Sequence, residues 1–153
     1  MRALGVDFGE RRIGLALSDP TGTLASPWRT MSRSGGDDAV VSVLAREIAI
    51  LQQEPDGLSV VVVGLPARLD GTPSELTERV TRLAHRLRGC VVVPVVLQDE
   101  RLSSHEAESR LALRERDWRR RKARLDAASA AVILQDYLDH TQPAVPVEPS
   151  DPA

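Results

Sequence analysis

At 153 residues and 42% hydrophobic content, the chain is long enough to build one domain around a real core. Its single cysteine, Cys90, excludes an internal disulfide, and no stretch approaches the roughly 20 apolar residues of a membrane helix. A net charge of −2 leaves nucleic acid open as a partner. The strand-like start at Met1-Arg2-Ala3-Leu4, with no secretory signal ahead of it, predicts a cytoplasmic protein without membrane contact.

Residues 2–8 predict a strand with Ala3, Gly5 and Asp7 on one face and Leu4, Val6 and Phe8 on the other. Gly9 to Arg12 predicts a turn, and Ile13 to Ser18 the return strand of a hairpin. After a turn at Asp19-Pro20-Thr21-Gly22, Thr23 to Met31 predicts a third strand, which Pro27 confines to a sheet edge. Gly35-Gly36 precedes a helix over about 37–53, with Val40, Val43, Leu44, Ile48 and Leu51 on one face. The run Val60 to Val63 within Leu58 to Leu65 predicts a strand buried on both faces.

Pro73 to Arg88 predicts a helix with the stripe Leu76, Val80, Leu83 and Leu87, ended by Gly89. Cys90 to Gln98 predicts a second buried strand, with Cys90 as a small buried residue. Helices are expected over Ser103 to about Arg114, where Ser103 and Glu106 form a capping box, and from about Leu125 to His140. The tail from Thr141 carries Pro143, Pro146, Pro149 and Pro152 and is expected to be disordered, which leaves 1–140 as the domain. This order predicts an α/β fold: a mixed five-stranded sheet, three antiparallel strands then two parallel ones, flanked by helices. With right-handed crossovers the first strand lies near the centre.

Three carboxylates far apart in sequence are then candidates for one site. Asp7 stands near the end of the first strand, Glu100 just past the last, and Asp126 at the expected start of the final helix. Acids at strand ends and a helix start can meet at one edge of an open sheet. Clustered carboxylates repel, so they persist as a set when a hard cation neutralises them. Oxygen ligands that leave room for phosphate are the Mg²⁺ pattern. His85, His105 and His140 are scattered and expected to face solvent, which argues against a His-ligated transition metal.

The cations concentrate beside the third acid. Arg110, Arg114, Arg116, Arg119, Arg120, Arg121, Lys122 and Arg124 face only Glu115 and Asp117, a local excess of six positive charges. Such a stretch can track a nucleic-acid backbone, with Trp118 stacking on a base, or it can be a solvated helix or loop with Trp118 packed beneath. Arg11 and Arg12 in the hairpin turn can hold a phosphate near the acids. Arg101 can orient Glu100, touch substrate, or form a surface ion pair.

Val6-Asp7-Phe8-Gly9 with Arg11-Arg12-Ile13-Gly14-Leu15-Ala16, Val63-Gly64-Leu65-Pro66 with Asp70-Gly71-Thr72, Asp99-Glu100-Arg101-Leu102-Ser103 and Asp126-Ala127-Ala128-Ser129-Ala130 occur in order. Together they resemble the YqgF (RuvX-like) family over about residues 2–140. The resemblance implies an RNase H-like fold and a nuclease whose acids hold divalent metal, Mg²⁺ or Mn²⁺, as two ions. Asp7 matches the first-strand acid, Glu100 the acid of the Asp-Glu-Arg motif and Asp126 the last-helix acid. All three would be catalytic metal ligands, with Asp7 bridging both ions. Some related nucleases carry a carboxylate after the fourth strand, where this chain has Gly64-Leu65-Pro66, and Glu100 is inferred to take its place. The substrate-binding set would be Arg11, Arg12, Arg101, Arg119, Arg120, Arg121 and Lys122.

The implied substrate is a nucleic acid. It is either the precursor of 16S rRNA, cut in maturing its 5′ end within a pre-ribosomal particle, or branched DNA, cut as a Holliday junction resolvase. Symmetric junction cutting favours a dimer, and the sequence leaves monomer and homodimer open. Two readings from other classes compete. Asp7-Phe8-Gly9 with Gly14 is similar to the first phosphate loop of actin-like phosphotransferases, but those enzymes need two such domains and 153 residues are too few. A silent nucleic-acid-binding module needs cations, not a set of acids.

Overall fold

Side-chain alternation decides what the central strand does. In the first strand Leu4, Val6 and Phe8 point one way and Ala3, Gly5 and Asp7 the other. A large apolar face and a face of small residues therefore stand back to back, and each is covered by different helices. The computed structural model describes residues 1–9, 11–66, 72–99 and 118–141, with the backbone alone for 118–125 and 141.

The strands are β1 (Arg2–Phe8), β2 (Arg12–Ser18), β3 (Ala25–Ser32), β4 (Leu58–Leu65) and β5 (Val95–Asp99). The helices among the described residues are α1 (Asp37–Gln53), α2 (Glu75–Arg88) and α3 (Trp118–Thr141). The sheet order is β3-β2-β1-β4-β5. β1, β2 and β3 pair antiparallel, while β4 runs parallel to β1 and β5 parallel to β4. The expected mixed sheet, with β1 at its centre, is what forms.

One face carries Leu4, Val6, Phe8, Ile13, Leu15, Val61 and Val63 against the stripes of α1 and α2. The other carries Ala3, Ala16 and Val62 against Ala130, Ile133, Leu134 and Leu138 of α3. β4 is buried on both faces at Val61, Val62 and Val63, which is why it reads as an unbroken valine run. β3 is an edge, and its Pro27 pairs with Ala16 immediately after a register shift between Leu15 and Ala16. A proline cannot donate to a ladder, so it sits at an irregular edge position. α2 opens with Ser74, whose hydroxyl accepts from the Thr77 amide while the Ser74 amide donates to Thr77 Oγ1.

Several expectations are corrected. Val43 is exposed and Val41 is buried in its place, because the stripe of α1 follows 40, 41, 44, 48 and 51. β5 begins at Val95 rather than Cys90 and is the second edge of the sheet, with Leu97 and Asp99 exposed. Cys90 is exposed in the turn before it. α3 begins at Trp118, so Asp126 lies within the helix and not at its start. The expected helix over Ser103 to Arg114 and the tail from Gln142 fall outside the described residues. No helix among them is long and apolar enough to cross a membrane.

Candidate active site

Asp7 shares its face of β1 with Ala3 and Gly5, so its side chain lies on the α3 side of the sheet. Its antiparallel partner is Gly14. Gly14 belongs to the same face, between Arg12 and Ala16. On α3, residues four apart share a stripe, which puts Asp126, Ala130 and Leu134 on the helix side that meets the sheet.

Two glycines let that stripe approach closely. A Cβ on Gly5 would stand 2.8 Å from the Ala130 carbonyl oxygen. A Cβ on Gly14 would stand 1.9 Å from the carbonyl oxygen of Asp126. The backbone of Asp126 therefore rests on the residue paired with Asp7, and the two acids share one face, each partly exposed.

α3 is tied down on both flanks. Gln135 accepts from the Ala25 amide at 2.9 Å and donates to the Thr23 carbonyl at 3.0 Å. Gln98 of β5 donates to Asp136 Oδ2 at 2.7 Å. These bonds span the sheet from β3 to β5 and hold the helix in register over β1 and β2.

The cations around the hairpin have distinct roles. Arg12 places Nη1 3.8 Å from Asp126 Oδ2, with side-chain exposures of 33% and 25%. That nitrogen is buried and makes no hydrogen bond. Arg11 is exposed, and its carbonyl accepts from the Arg33 amide at 2.9 Å. Arg33, which sequence reasoning missed, donates from Nη1 to the Gly9 carbonyl at 2.7 Å. Its side chain is 4% exposed, and its Nη2, buried without a hydrogen bond, lies 3.6 Å from Asp37 Oδ1, which also pairs with Arg79. Arg33 thus pins the turn that carries Arg11 and Arg12. The available signal was its spacing of four residues from Asp37 across Gly35-Gly36.

Of the predicted site residues, the structure brings Asp7, Arg12 and Asp126 to one face, with Arg11 on the turn beside them. Glu100 and Arg101 lie outside the described residues, directly after the end of β5 at Asp99. Arg119, Arg120, Arg121 and Lys122 occupy the beginning of α3, about 6 to 10 Å along the axis before Asp126 at 1.5 Å per residue. Their side chains lie outside the described set.

Among the described residues no three acid, His or Cys side chains form a group able to hold an ion. The acids that share this face, Asp7 and Asp126, offer hard carboxylate oxygens, with Arg12 3.8 Å from one of them. His85 projects from α2 on the opposite side of the sheet, and His140 stands at the far end of α3. Among the described residues, the donor types on this face suit a hard divalent cation such as Mg²⁺ or Mn²⁺ better than a His- or Cys-bound metal.

A family model described as "RuvX: Holliday junction resolvase" matches residues 1–140. A protein of Anaeromyxobacter dehalogenans (strain 2CP-C), named "Putative pre-16S rRNA nuclease", is 42% identical over 145 residues, spanning 94% of this chain and 100% of that protein. The same name is carried by a protein of Syntrophus aciditrophicus (strain SB), 36% identical, with 99% and 97% of the two chains covered. It is also carried by one from Nocardioides sp. (strain ATCC BAA-499 / JS614), 44% identical, with coverage of 89% and 86%. Among solved structures, Thermus thermophilus RuvC is similar at a TM-score of 0.51 and 14% identity, over 91% of this chain and 97% of RuvC. RuvC in complex with a Holliday junction substrate gives 0.50 and 16%, over 90% and 94%. The shared fold is the RNase H-like one.

Proposed function

The chain belongs to the RuvX family, and we propose that it is a metal-dependent endonuclease that matures the 5′ end of the 16S rRNA precursor. The observation that carries the chemistry is the seating of Asp126 on Gly14, the ladder partner of Asp7. It gathers two carboxylates on one face from residues more than a hundred positions apart. The substrate class rests on the relatives' name, carried at 36–44% identity over most of the chain.

In this reading Asp7, Asp126 and Glu100 hold two divalent ions. When bound, Mg²⁺ or Mn²⁺ polarises the phosphodiester and lowers the pKa of the attacking water. Asp7 is fixed by the central strand and Asp126 by a helix anchored at both flanks, so the carboxylates are preorganised. Arg11 and Arg12 hold the scissile phosphate, and Arg101 acts beside Glu100. Arg119, Arg120, Arg121 and Lys122 line the backbone path that leads to Asp126. The domain is 1–140, and the tail from Thr141 takes no part in the chemistry.

The test is cleavage of a 16S precursor carrying its 5′ leader, with Mg²⁺ or Mn²⁺, beside a four-way DNA junction. Asp7→Asn is the control. Loss of several kcal/mol of charge stabilisation is a drop of about a thousandfold in rate. Precursor cleavage that disappears in Asp7→Asn supports the reading, and metal-independent cleavage, or cleavage unaffected by Asp7→Asn, sinks it. The family description favours a second reading, resolution of Holliday junctions by a homodimer. Paired junction incisions with an uncut rRNA precursor would establish that one instead.

A further inference from the structure

We propose that Arg12 is the built-in counter-cation of Asp126, and that a divalent ion arriving at the carboxylates displaces it towards the substrate phosphate. The inference rests on the metal-dependent reading above and adds to it a competition between one side chain and the metal.

The geometry is that of a pair made to be exchanged. Arg12 opens β2 on the α3 face of the sheet, two residues before Gly14, on which Asp126 rests. Its Nη1 lies 3.8 Å from Asp126 Oδ2, beyond hydrogen-bonding distance, and the atom is buried with no hydrogen bond. A charge-assisted bond between the two would be short and strong, and at this distance it is not made. Here Arg12 offsets part of the carboxylate's charge at a distance and keeps a donor unspent.

Contrast Arg33 on the same hairpin. Its side chain is 4% exposed, and although its Nη2 is likewise buried without a hydrogen bond 3.6 Å from Asp37 Oδ1, its Nη1 donates to the Gly9 carbonyl at 2.7 Å and ties the side chain to the turn. Arg12 is one-third exposed and makes no such bond through Nη1. A divalent ion between Asp7 and Asp126 would remove the attraction that draws Arg12 inward and replace it with like-charge repulsion. The freed fork has the planar geometry suited to two phosphate oxygens. Arg12 thus offsets part of the charge on Asp126 before the metal binds, and the same arginine becomes available to the substrate afterwards.

The experiment is calorimetric titration of Mn²⁺ into the full chain without nucleic acid, comparing wild type, Arg12→Gln and Arg12→Lys. Circular dichroism checks the fold of each. Removing a competing positive charge predicts Mn²⁺ binding about tenfold tighter in Arg12→Gln, with Arg12→Lys returning towards wild type. In a parallel binding assay, affinity of Arg12→Gln for a nucleic-acid strand falls. A merely structural role would loosen the site and weaken Mn²⁺ binding, so tightening is diagnostic. If wild type binds Mn²⁺ but Arg12→Gln binds it equally or more weakly, the counter-cation idea is overturned while the metal-dependent reading stands. If no variant binds Mn²⁺, both fall together.

Discussion

A methyl group on Gly14 would stand 1.9 Å from the carbonyl oxygen of Asp126. No backbone atom can be approached so closely, and the neighbour here is the main chain of a helix anchored to both flanks of the sheet. Gly14→Ala therefore forces the Asp126 end of α3 off the sheet by about an ångström or more, costing about 1–3 kcal/mol. It also separates Asp126 from Asp7. The prediction is a modest fall in urea stability with a disproportionate loss of nuclease activity. Gly5→Ala, whose Cβ would meet Ala130 at 2.8 Å, strains the helix one turn further from Asp126 and serves as the control. Equal activity loss in the two variants would mean that the position of Asp126 is not what matters.

This contact also marks how far the sequence could be read. Strand alternation and valine runs predict β1, β2 and β4 to within a residue, because burial on known faces leaves little choice of period. The face of Asp7 is equally legible. The end of β5 is not: Val91, Val92 and Val93 look like strand, yet Pro94 and the edge position delay pairing until Val95. The start of α3 was missed because its opening turns are arginines without an apolar stripe, so periodicity gave no signal before Leu125. The consequence is chemical. A carboxylate in the first turn is explained by the helix dipole, but the dipole acts only within that turn and Asp126 lies beyond it. Arg12's proximity to Asp126 and the brace from Arg33 depend on tertiary approach, which spacing does not encode.

The brace itself predicts a separate phenotype. Arg33 is nearly buried, donates to the Gly9 carbonyl and faces Asp37. Arg33→Met keeps the stem and removes every donor, leaving the Gly9 carbonyl without this partner. Such a loss costs about 1–3 kcal/mol. Chemical denaturation should show it, with faster hydrogen exchange at the β1–β2 turn. Because that turn carries Arg11 and Arg12, nucleic-acid affinity should fall as well. Unchanged exchange at Gly9 would show that the turn holds its shape without Arg33.

The β2–β3 turn gives a prediction in pH. Asp19 accepts from the Leu24 amide at 2.7 Å, from the Thr21 hydroxyl, and from the Thr23 amide at 2.9 Å. The Leu24 amide is the largest cause of a carboxyl held well below its ordinary value of 3.8, followed by the Thr21 hydroxyl and the Thr23 amide. A depressed folded-state pKa means that the unfolded chain takes up the proton first as pH falls. The stabilisation is therefore complete above 3.8 and lost progressively as pH falls towards the folded value. Asp19→Ala should melt below wild type at neutral pH, and the gap should narrow only under acid conditions below that point. A gap constant from neutral to strongly acid pH would mean that the ionised carboxylate does not hold this turn.

The nature of the nucleic acid proposed as substrate can be read from salt. Each phosphate neutralised by a cation releases counterions, so log affinity falls with log salt by about 0.9 per contact on duplex and about 0.7 on a single strand. Arg119, Arg120, Arg121 and Lys122 are four cations at the start of the helix that carries Asp126. Replacing all four with Gln should flatten the slope by roughly 2.8 units if they track single-stranded RNA, or roughly 3.6 if they track duplex arms. Affinity should fall almost uniformly across sequences, because backbone contacts carry no base identity. Fluorescence anisotropy at several salt concentrations, on a precursor rRNA leader and on a four-way junction, measures both slopes. A weaker affinity with an unchanged slope would mean that these side chains support the helix and do not touch phosphate. Flattening on the junction alone would move the substrate from RNA to branched DNA.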